Sequence, residues 1–172
     1  MGLFSSGPAV PAVVRAAVPG KPLAAVQAED GLWVMGTREA FHAVRPDGST
    51  EVSLRWEEVQ RADWDRDTET LHVVAVAEYG RPVTAYSFVL AEPGTVLPLV
   101  RERVTASVLL QRRVDLERKR GFSVIGRRSP TGRGEVTWAF EFDRGVDPDE
   151  PAVEAAAEAA LRDAQESLGL PG

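Results

Sequence analysis

Hydrophobic and polar positions change their period along this chain, and the changes divide it into segments. Between residues 23 and 90 the apolar residues come in short β-rich runs closed by turn residues. The runs cover 23–28, 32–37, 39–44, 52–56, 59–65, 70–77 and 83–90, which predicts seven strands in a meander. Glu29-Asp30-Gly31, Arg45-Pro46-Asp47-Gly48 and Tyr79-Gly80-Arg81-Pro82 supply turns between them. Within 59–65 the alternation puts Gln60, Ala62 and Trp64 on one face and Arg61, Asp63 and Asp65 on the other. Tyr86, Phe88 and Leu90 share a face of the seventh run.

The period then becomes helical. Thr95 reads as an N-cap, and Pro98 at the third helical position lacks only an amide that would be unpaired anyway. Leu97, Val100, Val104 and Val108 form one stripe, while Leu99, Ala106 and Leu110 lie nearly opposite. Such a helix needs a second cover, which the rest of the chain must provide. Three further strands follow at 114–117, 122–128 and 135–142. In the last, Val136, Trp138, Phe140 and Phe142 alternate with Glu135, Thr137, Ala139 and Glu141. A final helix opens at VDPDEP with Asp147 or Asp149 as its cap. It buries Val153, Ala157, Ala160, Leu161, Ala164 and Leu168, and stops at Gly169.

The expected architecture is α+β. A seven-stranded antiparallel barrel or sandwich is capped by one helix and followed by a three-stranded antiparallel sheet with a C-terminal helix. The expected divisions are 1–22 (a tip and a short helix over 11–18), 23–112, and 113–172 packed on the helix of the middle part.

Composition narrows the chemistry. The 172 residues hold no cysteine, which removes disulfides, thiolate metal sites and thiol nucleophiles, and fits a reducing compartment such as the cytoplasm. A chain of this length buries roughly 70% of its unfolded surface without needing a metal. No apolar run is long enough to span a bilayer. The start lacks a basic region and is broken by Pro8, Pro11, Arg15 and Pro19, so a secretory signal is not expected. Met1-Gly2-Leu3-Phe4-Ser5-Ser6 matches the myristoylation pattern only formally. Lys21 and Lys119 stand against 18 arginines, a bias of GC-rich coding. The net charge of −6 is uneven: residues 101–133 hold ten basic and three acidic side chains, a net +7.

Little in the chain resembles a catalytic constellation. Asp63-Trp64-Asp65-Arg66-Asp67-Thr68-Glu69 spaces its acids every second residue. It lacks the glycine at position 6 and the closing glutamate at position 12 of a calcium loop. The same spacing marks a strand with one wet face, with Trp64 inward. His42 and His72 lie in β-rich runs framed by no nucleophile or carboxylate signature, so structural roles are expected. Asp143, Asp147, Asp149 and Glu150 are accounted for by helix capping. The glycines of IGRRSPTGRGE form no nucleotide loop and serve a turn. No cofactor, metal or catalytic residue is expected. The candidate anion or partner contacts are Arg112, Arg113, Arg127 and Arg128. The nearby basic residues fall at opposite ends of a predicted hairpin, which argues against one patch.

Gly31-Leu32-Trp33-Val34-Met35-Gly36-Thr37-Arg38-Glu39-Ala40-Phe41 resembles the strand, Thr-Arg, strand pattern of bacterial pleckstrin-homology and GRAM-type domains. Leu54-Arg55-Trp56-Glu57-Glu58-Val59 resembles the entry to their fifth strand, and Trp64 to Leu71 the next hairpin. The whole chain is similar to small actinobacterial proteins; the resemblance covers roughly residues 23–112 and implies a fold without an activity. The basic cluster that reads phosphoinositides is replaced by Glu29 and Asp30. The expectation is a cytoplasmic, non-enzymatic interaction module that binds another protein, with anion binding through 101–133 as the alternative. Nucleic acid is not an expected partner, since exposed aromatics are not interleaved with the basic residues.

Overall fold

The structure, a computed structural model, describes residues 9–170. The myristoylation pattern lies outside them. The first sheet holds β1 (Ala24–Gln27), β2 (Trp33–Gly36), β3 (Ala40–Val44) and β4 (Thr50–Arg55), hydrogen-bonded in chain order. A 3₁₀ turn at Trp56–Glu58 leads to the second sheet, β5 (Val59–Asp65), β6 (Thr70–Ala75) and β7 (Ala85–Val89). Helix α2 (Val96–Ala106) follows, preceded in the chain by the short α1 (Ala12–Ala16). The third sheet is ordered β10 (Thr137–Phe142), β9 (Gly121–Arg127), β8 (Val108–Asp115), and α3 (Pro151–Ser167) ends the chain. All three sheets are antiparallel. The chain is therefore α+β, but its first seven strands are not a closed barrel. They divide into a sheet of four and a sheet of three where Trp56 takes the chain out of β4.

Those two sheets and α2 share one core. Val34, Phe41 and Val52 from the first sheet meet Leu71, Val73 and Phe88 from the second, with Val96 and Val100 closing it. Trp56 is fully buried there and donates its indole N–H to the Thr37 carbonyl at 3.0 Å. Gly36 makes room for it: a Cβ at that position would lie 2.6 Å from Leu99 and 3.2 Å from the Trp56 ring.

The other face of the first sheet is covered as well. Val14 and Val18, from α1 and just beyond it, pack on Trp33, Met35 and Val44. This explains why β2 and β3 are buried along their whole lengths although they lie in an antiparallel sheet.

The third sheet lies between the first two sheets and α3. Phe122, Val124, Phe140 and Phe142 face α3 and pack on Val153, Ala157, Ala160 and Ala164. Trp138 crosses Gly126, where a Cβ would sit 2.9 Å from the indole. The opposite face of β9 carries Ser123, Ile125 and Arg127, all buried toward the preceding part of the chain.

Three boundaries differ from the expectation. The α2 stripe reads on through Val108 and Leu110, but the helix stops at Ala106 and β8 begins at Val108. Pairing decides this: Val108 faces Arg127 and Leu110 faces Gly126, and the Ser107 carbonyl accepts the Arg128 amide. The expected strand at 114–117 is thus the end of an eight-residue strand, and the expected division at 112/113 falls inside it. Neither Asp147 nor Asp149 caps α3. Glu150 holds the cap position without a side-chain bond, Pro151 removes one amide from need, and Asp147 instead accepts the Asp149 amide at 3.0 Å. The C-terminal end follows the reading: Gly169 has φ 69°, with Gly169 N–H bonded to Glu166 and Leu170 N–H to Gln165, a Schellman closure.

His42 is buried on the outer face of the first sheet, opposite Met35, with Nδ1 3.2 Å from Ser53 Oγ and Nε2 without a partner. Burial holds its pKa below the usual 6.5. The unfolded chain therefore takes up this proton first, so stability contributed by neutral His42 is present above about pH 6.5 and lost as pH falls. Wild type should lose more stability than His42→Gln between about pH 7.5 and 5.5. Thermal melts of the two proteins at both pH values measure this, and parallel losses would refute it.

Candidate functional site

One face of β5 and β6, carrying Ala62, Trp64 and Leu71, encloses a groove with α2 along its length from Leu97 to Ala106. β5 is an edge strand, with β6 on one side only. Trp64 and Leu71 form one wall and Leu97, Pro98 and Val100 the other, around a volume of 880 Å³. Asp63, Arg101 and Glu102 stand at the rim. The alternation that turns Trp64 inward also places it here, half-buried against the main core. Pro98 contributes ring surface without a free amide. The groove is mainly apolar and lies by an edge strand that, among the described residues, has no second neighbouring strand, although Arg127 takes its Gln60 carbonyl.

The acids that open this hairpin are occupied locally. Asp63 pairs with Arg61 at 3.4 Å. Asp65 Oδ1 accepts the amides of Asp67 at 2.8 Å and Thr68 at 3.2 Å, bonds that hold its pKa below the usual carboxylate range. Glu69 takes a φ of 49° and its carbonyl accepts the Leu90 amide. The stretch is a strand end and a turn.

A second cleft, of 600 Å³, lies between β5 and the third sheet. It carries Arg61, Arg81 and Arg113 against Glu78, Glu141 and Asp143. Cations and carboxylates balance, so the cleft offers no net attraction for an anion. Arg113 is held by both oxygens of Asp143, and by Asp115 at 3.2 Å. The pairing raises the Arg113 pKa and lowers that of Asp143.

The four candidate arginines do not gather. Arg112 turns toward α3 and donates to Ser167 Oγ at 3.0 Å, while Arg113 turns to the other face of β8. Arg127 pairs with Val108, at the far end of the hairpin from Arg113 and its partner Ser123. Its guanidinium is buried and bonded to Val104 O at 3.2 Å, Ser107 Oγ at 2.9 Å and Gln60 O at 2.5 Å. Desolvation lowers its pKa, with Glu141 opposing. Alternation in FSVIGRR already places Arg127 on the face of Ile125, a signal that outranks the charge count. Beside it, Arg128 is half-buried.

The histidines sit in different sheets. His72 lies in β6 with Nδ1 2.8 Å from Ser87 Oγ on the neighbouring strand. Each histidine is thus bonded to a cross-strand serine, and among the described residues neither ring is hydrogen-bonded to a carboxylate.

Tyr79 carries a role beyond the turn that its sequence context predicts. It belongs to the 76–84 connection, where Gly80 and Pro82 announce only a turn. The connection reaches across to the third sheet: Tyr79 stacks edge-on to Phe140 at 5.0 Å and Phe142 at 5.5 Å, and its hydroxyl donates to Pro148 O at 2.8 Å. Nothing local in the sequence links positions 69 residues apart.

No protein-family model matches the chain, and no curated protein matches it. Among the described residues no helix is long and apolar enough to cross a membrane.

Proposed function

We propose that this protein is a non-enzymatic, cytoplasmic interaction module on a pleckstrin-homology-like core, and that it holds an extended segment of another protein between β5 and α2. The observation that carries this is the apolar groove of 880 Å³ beside an unpaired strand edge. A strand added to β5 beyond Gln60, whose carbonyl Arg127 already holds, would pair with the remaining outward backbone groups, and alternate side chains of the added strand would enter the Trp64–Leu97 side. The absence of cysteine fits the cytoplasm. The anion-binding alternative has less support, because Arg127 is committed to internal acceptors and Arg113 to carboxylates.

Selection from a displayed library of random peptides tests the reading. Enriched peptides should show apolar residues at alternate positions. They should bind Leu97→Glu at least about tenfold more weakly, a loss of ~1.4 kcal/mol at the groove wall. Failure to enrich any sequence, or enriched peptides indifferent to Leu97→Glu, would overturn it.

A further inference from the structure

Away from the groove, Tyr79 and Phe140 line a slot of 240 Å³ against α3, with Ala157 and Leu161 at its base. Glu154 and Glu158 border it, one helical turn apart on the same face. Two like charges at this spacing repel. Among the described residues neither makes a salt bridge. The aromatic lining is fixed from outside the helix: Tyr79 is pinned by its hydroxyl to Pro148 and by its ring to Phe140 and Phe142. The Tyr79 phenol is raised first by burial and then by Glu154, Asp149, Asp147 and Glu158.

An apolar, aromatic slot flanked by two uncompensated carboxylates is complementary to a cation with an apolar stem. Carboxylates take the charge, aromatic faces attract it, and the base accepts the methylenes. We infer that the slot formed by Tyr79, Phe140, Glu154 and Glu158 receives an arginine or lysine side chain of a partner protein. Its size suits one side chain, and falls below the roughly 300–1,000 Å³ of pockets that enclose whole small ligands. Asp147 and Asp149 add negative charge near Tyr79. The site is separate from the α2–β5 groove and does not depend on it.

Nuclear magnetic resonance titration with the blocked tripeptide acetyl-Gly-Arg-Gly-amide tests this at constant ionic strength. The Tyr79 ring and Ala157 methyl signals should shift and saturate. The same peptide with neutral citrulline should bind about fivefold or more weakly, as should the arginine peptide with the Glu154→Gln/Glu158→Gln protein. Leu97→Glu should leave the titration unchanged, which separates this site from the groove. Equal binding of citrulline, no saturation, or indifference to the double variant would overturn the site. Tetramethylammonium binding as tightly as the arginine peptide would overturn the assignment to a protein side chain.

Discussion

Replacing Arg127 by methionine should cost about 3 kcal/mol of folding stability, the largest effect expected of any charged residue here. Methionine fills much of the same space, so the loss is one of hydrogen bonds and charge. The guanidinium joins Gln60 O on β5 to Val104 O and Ser107 Oγ at the end of α2. Without it the Gln60 carbonyl loses its donor in a buried place, and Glu141 loses the nearby cation that offsets it. Ser107 still donates to Val104 O at 2.7 Å, so that carbonyl keeps one bond. The midpoint of thermal unfolding should fall by roughly 6–12 °C. Arg127→Lys should recover only part, since one ammonium cannot span both acceptor groups. A methionine variant within about 2 °C of wild type would show that the guanidinium stabilises little.

Trp56→Ala should be more damaging, at about 4 kcal/mol. The side chain is fully buried, edge-on to Phe41 at 6.3 Å, and bonded to Thr37 O. It fills the corner where the chain leaves the first sheet for the second, so the cavity would open between both sheets and α2. Trp56→Phe should lose less, keeping ring volume while dropping the N–H bond. Urea unfolding of the three proteins orders them, and an alanine variant as stable as the phenylalanine one would contradict the packing argument.

These two residues were unequally legible beforehand. Strand alternation and turn residues locate nine of the ten strands to within a few positions, the exception being β8, because period two is a local property. Trp64 was readable as inward for the same reason. The end of α2 was not: Val104, Val108 and Leu110 satisfy helical spacing, and only pairing with β9 sends Val108 into a strand. Charge counting grouped Arg127 with surface cations, although its alternation with Ile125 pointed inward. The groove was half visible, since Trp64 and Leu97 were both placed on apolar faces but nothing joined them. The slot was invisible, because Tyr79 and Phe140 meet only through the fold.

A single residue, Ser107, separates α2 from β8, and its amide, carbonyl and hydroxyl are all bonded. No linker therefore stands between α2, which walls the groove, and the sheet whose Phe140 lines the slot. A partner engaging both would meet a ruler rather than a pair of hands. Avidity would reward only a chain whose own spacing matches that fixed span, and would vanish for one a few residues too short.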